Sequence, residues 1–505
     1  TGLGDLADRV QCHGTVAASP GGALNLDGGL NLHAGTVRPG SGTVTCAGDT
    51  FEMTGGELLG GTLWVTDGGT FRQTGGRVTS YVLNKIGYYE LAGTGELDTN
   101  EVYVKGYFDQ DGGTCRADTI ILAWGPPTAE YNLTDGAVSA GTFRVGGYDG
   151  PGKLTATGGT VTCSEGFWVA KAVGCSANGK GYLELGGSAV IEAPDVVIGD
   201  REVAEAVQTG GRLVATASFY VGSSYELQGG SVEAPGLELD GLFVQSGGTH
   251  DLAGDLTMDS QGYTTYELSG GELTVGGTFQ LGSTYTNPTY SSATLQVRGG
   301  RACLGTLLVG PAYNGTDLSE FRISDSSARV EIREALILGT HGRMPYMAPG
   351  ATIHMTGSTF ENRSQSPADL AGLEQLTLIF EGEPGELDTF EVAGKDLGAV
   401  WAGFDENFAL GTLQLGGDAL GRVRLVDEFT NQPGWAGAEA LYVHTLVLGE
   451  GSELELNGLN VYYAELIDHG CTFDTTAGGA IQEVPEPATL ALFALGGLAV
   501  IRRRR

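Results

Sequence analysis

Two short phrases take turns from residue 182 to residue 282: Tyr182-Leu-Glu-Leu-Gly-Gly187, Gln208-Thr-Gly-Gly211, Tyr225-Glu-Leu-Gln-Gly-Gly230, Gln245-Ser-Gly-Gly248 and Tyr266-Glu-Leu-Ser-Gly-Gly271. Their glycine doublets recur at a spacing of roughly 20 residues, and Tyr225 and Tyr266 stand about two such steps apart. Looser copies at Phe71-Arg-Gln-Thr-Gly-Gly76, Tyr89-Glu-Leu-Ala-Gly93 and Phe108-Asp-Gln-Asp-Gly-Gly113 carry the pattern back toward the N-terminus. Between the doublets apolar and polar residues alternate. In Thr142-Phe143-Arg144-Val145, for example, Phe143 and Val145 share one face of a strand and Thr142 and Arg144 the other. A strand-and-turn unit this short cannot bury its apolar face alone. Stacking each coil on the next at ~4.8 Å closes a core and pairs the backbone groups between coils. The chain therefore reads as all-β, a right-handed parallel β-helix (β-solenoid) of ~20-residue turns, with glycine supplying positive φ at the corners. A propeller or a string of β-sandwiches is the competing architecture, because a four-stranded blade also repeats at ~40 residues. The even alternation of turn types favours the solenoid.

Regularity sets the domain plan. Residues 1–310 read as the regular glycine-rich solenoid and 311–470 as less regular terminal turns, interrupted by loops at Arg343-Met-Pro-Tyr-Met-Ala-Pro349 and Ser364-Gln-Ser-Pro-Ala-Asp369. The second loop opens a short helical turn through Leu370 and Leu373. Residues 471–483 read as a polar linker and 484–505 as a separate tail with a short apolar helix. The recurring Tyr89, Tyr131, Tyr182, Tyr225 and Tyr266 are expected to form an aromatic ladder along the stack.

Composition narrows the partners. The 86 glycines among 505 residues never fall on an every-third register, which excludes collagen, and 41% hydrophobic residues argue against disorder. With 27 Lys plus Arg against 61 Asp plus Glu, the formal net charge is -34, so nucleic acid and anionic membrane faces are excluded as main partners. The seven cysteines lack CxxC spacing; Cys163 and Cys175 are the nearest pair, read either as a bridge or as small apolar strand residues. The chain starts at Thr1 without a basic and apolar leader, so either an export signal has been removed or the chain is a fragment.

Chemistry has one local candidate. Asp317, Glu320, Asp325, Arg329, Glu331, Arg333 and Glu334 concentrate carboxylates and arginines as a polysaccharide lyase would need. The alternation in Arg329-Val-Glu-Ile-Arg333 equally describes a solvated outer face, and the chain is read as non-catalytic. His13, His33, His250, His341, His354, His444 and His469 show no compact ligand spacing, and the GGxGxD array that would make a calcium claim strong is missing. No metal and no cofactor is expected.

The tail carries the sharpest signal. Val484-Pro-Glu-Pro487 precedes an apolar run from Ala488 to Ile501 and then Arg502, Arg503, Arg504 and Arg505. The run is shorter than the ~20 residues of a straight membrane span, yet the arginine block would hold the C-terminus on the cytoplasmic side and the body on the other. This arrangement resembles the PEP-CTERM sorting signal, with Pro485, Glu486 and Pro487 matching its recognition motif. The glycine-rich body resembles the autotransporter-like β-solenoid regions of such proteins. The resemblance implies recognition by an exosortase-type processing enzyme, transient anchoring in the inner membrane, and export to the surface of bacteria that often make extracellular polysaccharide. The resulting expectation is an exported cell-surface or extracellular-matrix structural or adhesive protein. The alternative is a polysaccharide-binding or polysaccharide-degrading β-helix.

Overall fold

The structure, a computed structural model, describes residues 4–486 apart from 7–9, 20–21, 27–29, 123–127, 148–149, 172–178, 260–261, 284–290, 312–316, 358 and 383–386. Cys175, Pro487, the expected apolar helix and Arg502 to Arg505 lie outside the described residues. The chain is almost entirely β and forms two compact units, Thr1–Leu256 with Thr264–Thr274 and Thr257–Tyr263 with Val275–Arg505.

In the first unit successive strands pair in parallel and in register, each on the strand one coil further along. One column of paired positions runs Phe51, Phe71, Tyr89, Phe108, Tyr131, Leu154, Leu183, Ala206, Tyr225, Phe243 and Tyr266. The rings stack face to face, with centroids 5.0 Å apart for Phe71 and Tyr89, 4.4 Å for Phe108 and Tyr131, and 4.9 Å for Phe243 and Tyr266. Where the column shrinks to Leu154 and Ala206, a second column in the same coils carries Phe167 and Phe219, with Val196 between them in the Leu183 coil, and Phe219 sits 5.9 Å from Tyr225. These rings occupy volume that the first column leaves in their own coils.

The two alternating phrases have a physical cause. Two residues after the column position, Gln73 and Gln110 toward one end of the unit and Gln208 and Gln245 toward the other occupy alternate coils, with Ala156 at the matching place between the two pairs; all four glutamines are at most 1% exposed. The side-chain amide of Gln208 donates to the carbonyls of Gly211, in its own doublet, and of Ser231 one coil on. Its oxygen accepts the Tyr225 hydroxyl at 2.5 Å. Gln73 with Tyr89, Gln110 with Tyr131 and Gln245 with Tyr266 repeat this arrangement. Each glutamine thus ties polar atoms of two adjacent coils into one satisfied buried network. The second glycine of the doublet makes the corner possible. At Gly248 φ is 67° and an added Cβ would lie 2.6 Å from the carbonyl oxygen of Gly230, so the coils approach too closely for a side chain.

Tyr182 departs from the expected ladder. It is half-buried on the outer face, paired with Lys153 and Glu205, while Leu183 takes the column position. In Gly181-Tyr182-Leu183-Glu184-Leu185 the tyrosine precedes the inward pair by one residue, whereas in Tyr225-Glu226-Leu227 it belongs to that pair. A one-residue offset turns a strand side chain to the opposite face. On the outer face, Arg72 with Glu90, Arg77 with Asp98 and Arg212 with Glu233 form ion pairs between adjacent coils. The scarce arginines are placed where like-charged carboxylates would otherwise stack.

His250 is fully enclosed, stacked 4.6 Å from Phe243, with Nδ1 2.9 Å from the Tyr266 hydroxyl. Because that hydroxyl donates to Gln245, it accepts from Nδ1–H, which leaves Nε2 as a buried acceptor without a partner. Burial lowers the imidazole pKa from 6.5 to about 3. The unfolded chain therefore binds the extra proton first, and the stability held above pH 6.5 is lost as pH falls toward 3. Between pH 6.5 and 4.5 this group is expected to cost about 2–3 kcal/mol. Urea melts of wild type and His250→Phe at both pH values check this: the variant should lose less stability on acidification, and an equal loss would refute the assignment.

The second unit continues parallel pairing through Ser291–Val297 on Asp317–Ile323, Arg301–Val309 on Arg329–Leu338, Ala351–Thr356 on Leu376–Glu381, and Glu439–Leu448 on Asn460–Asp468. The expected helical turn is a 3-10 helix, Pro367–Gln375, burying Leu370 and Leu373. Gly394–Lys395 pairs antiparallel with Glu439 and Ala440. The stretch read as a linker is not plain coil: Thr472–Asp474 pairs with Glu453–Glu455, and Ile481–Glu483 with Val461, Tyr462 and Tyr463.

Candidate functional site

The strand Ile481–Glu483 delivers the start of the tail onto the body. Its register on Val461–Tyr463 is continued by the Val484 amide, which donates to the Tyr463 carbonyl at 2.7 Å. Alternation then turns Val484 inward, where it is 2% exposed within an apolar cluster of Phe404, Ala409, Ala440, Tyr442 and Tyr462, bordered by Trp401. The Trp401 indole donates to the Pro485 carbonyl at 2.5 Å. Pro485 and Glu486 themselves are exposed.

The pocket is held from beneath. The Tyr442 hydroxyl accepts the Leu397 amide and donates to the Gly398 carbonyl, each at 2.9 Å, while Tyr462 and Asn460 both donate to the Asp396 carboxylate. Burial pushes the Tyr442 phenol up to about 12, so it remains a donor. At Gly403 an added Cβ would lie 1.9 Å from the Tyr442 ring, so a glycine is required for Trp401 and Phe404 to close over it. Sequence reasoning singled out Pro485 and Glu486 but missed the seat under them. Ile481 and Val484 stand three apart and fall on opposite strand faces, so no alternation marked the seat, and nothing in the sequence marked Trp401.

The charged candidates do not converge. Glu320 lies on the strand that stacks on Ser291–Val297 and pairs with Arg322 and Arg343. Arg329, Glu331, Arg333 and Glu334 lie on the strand that stacks on Arg301–Val309. Burial alone would raise the Glu331 carboxyl, but hydrogen bonds from Arg301, Arg333 and Cys303 bring it down to about 2. Glu334 accepts from Thr306, and Asp325 caps the Ser327 amide. These are local ion pairs and turn caps of an outer face. The Asp317 side chain lies outside what is described.

Of the histidines, His13 stacks on His33 with ring centroids 5.7 Å apart, and His444 stacks on Phe404 at 4.6 Å. Among the described residues no group of three His, Cys, Asp or Glu side chains could hold a metal ion. Cys163 is a buried free thiol. Glu391 and Glu439 are buried carboxyls that accept backbone amides of Glu428 and Phe429, and of Asn431 and Gln432. Burial, with Asp427 nearby, raises both to about 7. They pin a loop.

The PEP-CTERM protein-sorting motif matches residues 483–505 as a protein family. That segment marks a chain for export toward the cell surface and implies processing by an exosortase-type enzyme. No curated protein and no solved structure matches the chain. Among the described residues no helix is long and apolar enough to cross a membrane, and the apolar run 488–501 lies outside them.

Proposed function

We propose that this chain is an exported cell-surface or extracellular-matrix protein with a structural or adhesive, non-catalytic role. Its body is a right-handed parallel β-helix of ~20-residue turns. The observation that carries the reading is the sorting-motif match at 483–505 on a body made of strands stacked in register. Surface carboxylates engaged in coil-to-coil ion pairs, together with a net charge of -34, fit a solvated, self-repelling exterior. The tail anchors transiently in the inner membrane through residues 488–501 and Arg502 to Arg505 until the exosortase-type enzyme processes it. Deletion of residues 484–505 in a host that possesses such an enzyme is expected to abolish surface display, measured by fractionation and by labelling of intact cells. Unchanged display would overturn the reading. The sugar-binding alternative rests on a separate observation, a buried unpaired carboxylate beside a cleft of the first unit.

A further inference from the structure

The first unit contains a carboxylate with no visible structural employment. Glu202 is 8% exposed, and both of its carboxylate oxygens are buried without a hydrogen-bond partner. A desolvated, unpaired acid is costly to fold around. Burial raises its pKa, and the neighbouring Asp200 raises it further. Glu202 lines a cleft of about 450 Å³ together with Gly179, Lys180, Arg201, Val203, Gly222 and Ser223, a size that accommodates a small ligand.

The backbone around the cleft is held in an uncommon conformation. Ala170 and Arg201, both non-glycine, have φ of 49° and 62°, and Lys171 bridges Arg201 antiparallel between strands that pair in parallel. Such conformations are costly and persist where the surroundings impose them, commonly at ligand sites. Gly147 crosses close by: a Cβ there would lie 3.6 Å from Glu202 Oε2. Ser223 accepts the Ala204 amide through Oγ, which leaves its own hydroxyl proton to donate. Val203, 51% exposed, supplies an apolar edge.

The charge balance selects the ligand. A cation would meet Lys180 and Arg201 in the same cleft, and an anion would meet Glu202, with Asp200 beside it. A neutral ligand whose groups both donate and accept satisfies all of them: once the Glu202 side chain swings from its closed-off position into the cleft, adjacent hydroxyls donate to its two oxygens and accept from Lys180 and Arg201, while a ring face lies on Val203. We propose that the Glu202 cleft is a binding subsite for a neutral saccharide unit, with Glu202 accepting two neighbouring hydroxyls. The site is independent of the export reading, and its failure would leave that reading untouched.

The test titrates the full chain with neutral tetrasaccharides of glucose, mannose and galactose, a uronate tetrasaccharide and calcium chloride, following saturation-transfer NMR and calorimetry. At least one neutral tetrasaccharide is expected to bind saturably. Glu202→Gln, which keeps the shape but replaces one acceptor by a donor, should weaken it at least tenfold. The same variant should melt at or above the wild-type temperature, because it removes an unpaired buried charge. A purely structural glutamate would instead lower the melting temperature and leave binding unaltered. The proposal is overturned if no neutral tetrasaccharide binds, if Glu202→Gln binds equally well, or if the uronate or calcium is the preferred ligand at this cleft.

Discussion

Replacement of Gln208 by leucine is expected to destabilise the surrounding coils by about 3–5 kcal/mol, although the two side chains are close in volume. Loss of the amide takes the side-chain donor from the Ser231 carbonyl and one of two donors from the Gly211 carbonyl, which keeps the Ser231 amide, and takes the acceptor from the Tyr225 hydroxyl. A buried polar group stranded in this way costs about 1–3 kcal/mol. Gln208 and Tyr225 are essentially inaccessible, so water cannot substitute without opening the stack. Tyr225→Phe alone strands only the glutamine oxygen and should cost about 1–2 kcal/mol. Combining the two changes removes the hydroxyl and its acceptor together, so the double variant should be about 1 kcal/mol or more stabler than the sum of the singles. A stacked repeat opens locally, so the measurement is native-state hydrogen exchange at Ala204–Gln208 and Ser224–Leu227. Strict additivity would show that the glutamine and tyrosine act separately, and a loss below 1 kcal/mol in Gln208→Leu would remove the network from the account of stability.

Much of this body was legible in the sequence because its physics is local and periodic. The alternation around Phe143 and Val145 and the glycine doublets translate directly into buried rings and positive-φ corners, and the turn through Leu370 and Leu373 is helical as expected. What escaped was face assignment and polar burial. Tyr182 resembles Tyr225 in phrase but sits one residue out of phase with the inward pair. The glutamine of the Gln-x-Gly-Gly phrase occupies an inward position, where a rule that sends polar residues outward misplaces it. Its regular recurrence at an apolar phase was the overlooked clue. Glu202 and Trp401 had no periodic context at all, since their roles arise from chain crossings that a linear pattern does not encode.

The body also holds the beginning of its own address label. Val484 seated among Phe404, Tyr442 and Tyr462, with the Trp401 indole on the Pro485 carbonyl, fixes the residues directly ahead of Glu486. Substituting Val484 by aspartate exchanges the burial of an aliphatic side chain, worth about 1.5–3 kcal/mol, for a carboxylate in an apolar pocket. Docking should fail outright, and residues 481–486 should change from protease-resistant to rapidly cut while the coils through Asn460–Asp468 stay intact. Trp401→Phe keeps much of the apolar border but removes the indole donor; a lost hydrogen bond of about 1 kcal/mol should raise the cleavage rate roughly fivefold. An enzyme that reads Pro-Glu-Pro as an extended segment competes with this docking, so both variants should be processed faster than wild type in pulse-chase experiments. Equal protease sensitivity in wild type and Val484→Asp would show that the tail does not rest in the pocket. Slower processing in both variants would reverse the relationship and make the docked segment the form the enzyme recognises.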